Sequence, residues 1–157
     1  MASVSSPPPA PHAARQRWMA VLARASLTEL THLLETAPEL PAFVALRGPE
    51  QGLVMVRGRA GGAGSAFNLG EASVTRCTVR DAVGRIGHAY IKGRNGKLTE
   101  LAARLDAALQ DPALHPQYDA AVIAPLAAAQ ATRTAQAARK AAATRVQFFT
   151  LATMRST

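Results

Sequence analysis

The sequence contains a single cysteine, Cys77, and few aromatic residues, which make up 4% of its 157 positions. One thiol excludes an internal disulfide, and it excludes any zinc site or iron–sulfur cluster built from thiolates of this chain alone. It also indicates a reducing compartment, so we expect a cytoplasmic protein. With so few aromatic rings, the core must consist mainly of Leu and Val side chains on helices and strands.

The sequence also lacks a segment typical of membrane targeting or anchoring. Residues 1–12 are rich in Ser, Pro and Ala but have neither a basic start nor an apolar stretch, unlike a signal peptide. The longest later stretch without charge, residues 120–132, is shorter than the roughly 20 apolar residues of a membrane span. We therefore predict a disordered tail over residues 1–13, then one domain over residues 14–157, with no membrane partner.

What the sequence has in excess is alanine and positive charge. Alanine accounts for 35 residues, and 18 Lys and Arg against 10 Asp and Glu give a net charge of +8. This charge indicates an anionic partner: a nucleic acid, a phosphorylated small molecule or an acidic protein. The last 38 residues hold five basic residues and no acidic one. Helical geometry scatters these charges around the axis, and few aromatics are available for base stacking, so a protein partner is favoured over nucleic acid.

Hydrophobic spacing predicts an α+β domain that begins with two helices. Apolar residues three and four apart indicate a first helix from Arg15 to Ser26, where the capping-box pair Ser26 and Glu29 begins a second helix that ends at Pro38. Val, Ile, Thr and aromatic residues then follow in four segments with short, glycine-containing connections. These segments predict a four-stranded antiparallel sheet, with strands at residues 43–47, 52–59, 65–80 and 84–92.

The spacing becomes helical again after residue 95. A Leu-rich helix is followed by a predicted loop through Tyr118 and Ile123, and then by a long final helix that forms an arm over residues 125–150. Ten residues of this final helix are alanine, so it has high helix propensity but little large apolar surface. Its large apolar residues lie at its end and are candidate interface residues: Val146, Phe148 and Phe149.

Three local features could carry chemistry, and each also has a structural interpretation. Gly61, Gly62 and Gly64 could cradle a phosphate, but a predicted strand follows them instead of a helix, which favours a hairpin turn. Cys77 has no catalytic-cysteine pattern beside it, so a buried apolar role is favoured over a nucleophile. His88 is the histidine best placed for a site, although a packed strand histidine is the better interpretation.

Motifs in a distinctive order and spacing run from Arg15 to Thr150 and together resemble the PhnG family, the small subunit of the carbon–phosphorus lyase core complex. The proline-rich tail is not part of the family pattern, and family members can carry another residue at the position of Cys77. The motifs are Arg15-x-x-Trp18-Met19-x-Val21-Leu22-Ala23, Gly61-Gly62-x-Gly64, Asn68-Leu69-Gly70-Glu71, Thr75-Arg76-Cys77, Gly93-Arg94, Ile123-Ala124-Pro125-Leu126 and Thr144-Arg145-Val146-x-Phe148-Phe149-Thr150.

The resemblance implies a subunit that acts with PhnI, PhnH and PhnJ, and with the associated ATP-binding subunits PhnL and PhnK. In the implied reaction an alkylphosphonate displaces adenine from C1′ of ATP, giving α-D-ribose 1-methylphosphonate 5-triphosphate from methylphosphonate. ATP is then a substrate of the complex, and we expect no cofactor on this chain alone. Because PhnI is implied as the catalytic subunit, we predict an accessory subunit of a transferase, inactive by itself. A small basic nucleic-acid-binding module is the alternative.

Among the polar residues, we predict no catalytic and no metal-binding residue. Arg76, Arg94 and Arg145 are candidates for contacts with a phosphate or a partner carboxylate, because guanidinium groups bind planar oxyanions through two parallel hydrogen bonds. Glu71 lies inside the predicted strand region, and we expect it to pair with an arginine such as Arg76 or to contact a partner.

Overall fold

The computed structural model of the chain describes residues 11–59 and 64–145. Within these residues two helices lead into three strands, and further helices follow as far as Ala143, so the α+β class is confirmed. The elements are α1 (Pro11–Leu22), α2 (Leu27–Thr36), β1 (Phe43–Gly58), β2 (Phe67–Asp81), β3 (Ile86–Lys92), α3 (Gly96–Leu109), α4 (His115–Tyr118), a π-helical turn (Asp119–Ile123) and α5 (Ala124–Ala143).

The sheet has three antiparallel strands in the order β1-β2-β3, so the predicted four strands are wrong. The segments predicted at residues 43–47 and 52–59 are one continuous strand, β1, which pairs with β2 along its whole length. The register shifts on either side of Arg47, where β1 contains extra residues relative to β2. Gly48 and Pro49 therefore lie in a bulge, which bends an edge strand without ending its pairing.

The core lies between one face of the sheet and the helices. Alternate residues of β2 and β3 face α3, and the buried side chains include Cys77, Val79 and Ile91. Gly87 of β3 lies so close to α3 that an added Cβ would be 2.0 Å from the carbonyl oxygen of Ala103. The strand and the helix are therefore in backbone contact, a separation that only glycine permits at this position.

The segment predicted as a loop through Tyr118 and Ile123 is helical, which corrects that prediction. Tyr118, Val122 and Ile123 are buried, and the Tyr118 hydroxyl donates a hydrogen bond to the Glu39 carbonyl at 2.9 Å. Packing of these side chains against the core therefore overrides the local proline and aspartate signals.

The last helix ends at Ala143, earlier than the predicted residue 150. Thr144 leaves the helical conformation, and its hydroxyl donates a hydrogen bond to the carbonyl of Ala141 at 3.1 Å. The predicted interface residues at 146, 148 and 149 lie outside the described residues. No helix in the described ranges is both long enough and apolar enough to cross a membrane.

Candidate functional site

The buried carboxylate of Asp106 fixes α1 against α3 and β3. It accepts hydrogen bonds from Nε and Nη2 of Arg15 at 3.1 and 2.7 Å, from Nε1 of Trp18 at 2.8 Å, and from the backbone N–H of His88 at 2.9 Å. Each carboxylate oxygen thus accepts two hydrogen bonds, and the side chain has no exposed surface. Sequence reasoning missed this residue, and its saturated bonding indicates a structural role.

The face of the sheet that points away from the helices is basic. Alternation along the strands places Arg76 and Arg80 of β2 and His88, Tyr90 and Lys92 of β3 on this face, and all five are exposed. In the β2–β3 register Arg76 lies opposite Tyr90. We call this surface the basic face. The two-residue spacing of these side chains was the sequence signal for it.

Glu71 does not pair with Arg76, the arginine suggested for it, and its other predicted role, a contact with a partner, stays a prediction. Arg76 contacts Glu50 of β1 instead, with Nη2 and Nε at 3.1 and 3.2 Å from its Oε2. Glu71 and Arg76 are five residues apart in one strand, so their side chains point to opposite faces. Glu71 is exposed in a more distant part of β2, where it pairs in register with Met55.

The three arginines predicted as phosphate or partner contacts do not converge on one site. Nε of Arg94 donates to Oγ of Ser73 at 3.3 Å, and Ser73 faces the opposite side of β2 from Arg76. Arg145 follows the end of α5. All three arginines are exposed, and their role as anion contacts stays a prediction.

Cys77 and His88 differ in their surroundings. Cys77 is buried, and its Sγ donates to the Arg47 carbonyl at 3.4 Å. Burial, followed by the nearby charge of Glu100, raises the pKa of the Cys77 thiol, which keeps it neutral and a poor nucleophile. His88 is exposed, not packed as expected, and its Nδ1 lies 3.1 Å from Oγ1 of Thr78. No cluster of three potential metal ligands occurs in the part of the chain that the structure describes.

Strands β1 and β2 continue beyond β3 as a two-stranded ribbon, residues 53–58 and 67–73, which we call the hairpin extension. Two-stranded hairpins are marginally stable by themselves, and exposed apolar patches mark interaction surfaces. Five of its large apolar side chains are between 40% and 61% exposed, so the ribbon is a candidate contact surface. They are Leu53, Met55, Val56, Phe67 and Leu69.

The glycine cluster lies in the connection between β1 and β2. These strands pair antiparallel up to Gly58 and Phe67, so the cluster is followed by a strand and not by the helix that a phosphate loop requires. Gly64 has φ of 140°, in the range that favours glycine. Gly61 and Gly62 lie outside the described residues.

The contacts that attach helix α5 to the domain include Gln130 and Arg133. Nε2 of Gln130 donates to the Val21 carbonyl at 2.9 Å, and the guanidinium of Arg133 contacts the carboxylate of Glu29. The arginine contact is the largest cause that lowers the pKa of Glu29 to about 2. Residues 131–145 are all exposed, so most of α5 projects as an arm, as the alanine content predicted.

Known proteins are similar to this chain over nearly its whole length. A family model described as phosphonate metabolism protein PhnG matches residues 13–154. A protein of Rhizobium meliloti (strain 1021), the alpha-D-ribose 1-methylphosphonate 5-triphosphate synthase subunit PhnG, is 43% identical over 139 residues, which are 88% of each chain. The matched region includes the Asp106 anchor, the basic face, the hairpin extension and the arm.

Proposed function

The chain belongs to the PhnG family of phosphonate metabolism proteins, and from this we propose that it is an accessory subunit of an α-D-ribose 1-methylphosphonate 5-triphosphate synthase. The observation that carries the proposal is 43% identity to such a subunit over 88% of both chains. A match of this extent includes the surface elements as well as the core, and surface elements are where subunits meet.

Two surfaces of the chain support a role inside a complex. The hairpin extension exposes large apolar side chains on a ribbon to which no third strand of the described residues pairs, and α5 is exposed from residue 131 onward. Both would lose unfavourable solvent exposure by packing on other subunits. We propose PhnI as the partner at the hairpin extension and the arm, with PhnH and PhnJ in the same core and PhnL and PhnK associated with it. Val146, Phe148 and Phe149 remain predicted contacts of the arm.

The chemistry assigns this chain a positioning role. Displacement of adenine from C1′ of ATP needs an oriented phosphonate oxygen, protonation of the purine and stabilisation of the triphosphate charge. Buried acids of this chain are engaged in its own fold: Asp106 binds Arg15, and Asp81 binds Arg85 with 2.6 Å between Oδ2 and Nε. Acid–base groups would therefore come from PhnI, while this chain contributes shape and positive charge, and ATP is a substrate of the assembled complex.

The test is adenine release from ATP and methylphosphonate. We expect none from the purified chain alone and release when it is co-purified with PhnI, PhnH and PhnL. Robust release by the chain alone would overturn the accessory role. If the wild-type chain does not co-purify with any of these subunits, the subunit proposal itself is wrong.

The same co-purification can locate the interface. The test variant carries both Leu53→Ser and Met55→Ser. Each substitution removes roughly 1.5 kcal/mol of apolar burial at the proposed interface, so the affinity for PhnI should fall about tenfold per residue. The matched control is Val83→Ser, because Val83 is 78% exposed but lies in the β2–β3 turn, away from the hairpin extension. Equal binding of the double variant and the control would exclude the hairpin extension from the interface.

A further inference from the structure

Strand β3 forms one edge of the sheet, and the chain itself closes the first half of that edge. The Ile86 carbonyl accepts hydrogen bonds from Nη2 of Arg15 at 3.3 Å and from Nε2 of Gln110 at 2.9 Å. The backbone N–H of His88 donates to Asp106 at 2.9 Å. Side chains thus take the place of a fourth strand over these residues.

Nothing in the part of the chain that the structure describes pairs with the second half of the β3 edge. In an antiparallel sheet every second residue directs its N–H and C=O to the same side. Since the His88 N–H points away from β2, the N–H groups of Tyr90 and Lys92 also point away from it. The N–H of Gly93 points toward β2, as this alternation requires, and donates to the Ser73 carbonyl at 2.8 Å. Among the described residues, no hydrogen bond is made to the outward groups of Tyr90 or to the Lys92 N–H.

An apolar groove of about 240 Å³ follows this open half of the edge. One wall is β3 from His88 to Ile91, and α1 forms the other wall while α3 contributes to the floor. The helical side chains that line it are small or flexible and apolar, so side chains of an added strand could enter between them. They are Met19, Ala20, Leu22, Ala23 and Ala102.

We propose that the open half of the β3 edge is a strand-addition site for an extended segment of a partner subunit. Backbone hydrogen bonds to Tyr90 and Lys92 would hold the segment, and its alternate apolar side chains would fill the groove. This proposal rests on the proposed function, because the segment comes from another subunit of the same complex.

Charge determines the chemistry of the segment. Its other side chains would lie next to His88 and Lys92 on the basic face, with Arg80 one strand further away and beside it Arg76, which is paired with Glu50. Acidic residues at those positions would complement this charge. A second copy of β3 has no acidic residue and would add a second Lys92 to the basic face, which disfavours self-pairing. The occupant is therefore an alternating apolar and acidic strand of a different protein.

The direct test is hydrogen exchange at the Tyr90 and Lys92 amides, resolved by fragmentation mass spectrometry. In the free chain both amides should exchange quickly, and in the co-purified complex with PhnI, PhnH and PhnJ they should exchange at least about tenfold more slowly, since a hydrogen-bonded amide must open before it exchanges. Equal rates in an intact complex would overturn strand addition but leave the subunit proposal standing. Protection that rises with the concentration of the free chain would also overturn it, because a second copy would then be the occupant.

A proline variant tests the same edge independently. Tyr90→Pro removes only an outward N–H and places its ring in the path of an added strand, while the pairing of β3 with β2 is kept. The control Tyr90→Ala removes the ring of tyrosine but keeps the N–H. We expect the proline variant to bind the partner subunits at least about tenfold more weakly than the alanine variant, with unchanged circular dichroism. Equal binding of the two folded variants would contradict the proposal.

Discussion

Replacement of Asp106 by asparagine tests how α1 is held on the domain. The substitution keeps the shape of the side chain but turns one of its two oxygens into an NH₂ group. Each oxygen accepts two hydrogen bonds, among them those from Nε1 of Trp18 and the backbone N–H of His88. Whichever way the amide is oriented, two donors will face another donor, and the half-buried positive charge of Arg15 will lose its counter-charge.

The expected loss follows from these contacts. Removal of one partner from a buried ion pair costs about 3 to 5 kcal/mol, and a buried donor without an acceptor costs about 1 to 3 kcal/mol. Because asparagine keeps one acceptor oxygen, we expect about 3 kcal/mol, a large part of the 5 to 15 kcal/mol typical of a domain. With an m-value of about 2 kcal/mol/M, the urea midpoint should fall by about 1.5 M.

The assay is urea unfolding followed by circular dichroism and by the fluorescence of Trp18, the only tryptophan. Asp119→Asn is the matched control, because Asp119 also joins α1 to a later helix, through Arg17, but this pair is exposed. The control should lose less than about 1 kcal/mol. If Asp106→Asn loses no more than the control, the argument that this carboxylate anchors α1 is refuted.

Two further predictions concern packing and pH. Gly87→Ala should destabilise the domain by about 2 to 3 kcal/mol, because the added Cβ would overlap Ala103. In the same urea assay the control Gly52→Ala should have little effect, because the space around Gly52 is open. Equal effects of the two substitutions would contradict the close contact between β3 and α3. The pKa of Glu29 is lowered from 4.5 to about 2, so this carboxylate stabilises the fold above pH 4.5, and its contribution of about 1 kcal/mol, reduced for solvent screening, is lost as the pH falls toward 2. The free energy of unfolding of Arg133→Ala should therefore fall less between pH 6 and pH 3 than that of the wild type. An equal fall in both proteins would exclude this ion pair as the cause.

The features predicted correctly from the sequence depend on neighbouring residues. The capping box of Ser26 and Glu29 begins α2, as expected, with hydrogen bonds of 3.2 Å from the Glu29 N–H and 3.0 Å from the Ser26 N–H. The antiparallel sheet and the exposed alanine arm were also predicted, since alternation and alanine content are local signals. The PhnG resemblance, built on motifs along the chain, is confirmed by the family match over residues 13–154.

The incorrect predictions involve residues that are far apart in the sequence. The first strand was predicted to end at residue 47, but pairing with β2 continues past Gly48 and Pro49 because the bulge absorbs the extra residues. Tyr118 was placed in a loop, although its burial against the core makes the segment helical. Arg76 was paired with Glu71, which is near in sequence, whereas the β1–β2 register brings Glu50 to it. Each outcome depends on a partner element that no local window contains.

By itself, the sequence determined the class of this protein: an α+β domain with a helical arm, one thiol, a basic surface and the motifs of the PhnG family. Helix spacing, capping and composition act within a few residues, so they can be recognised without a fold. Only the tertiary structure decided the three-strand sheet, the Asp106 anchor, the exposed hairpin extension and the half-open β3 edge. These features depend on strand register and on which backbone groups remain without a partner, and both arise only when distant segments meet.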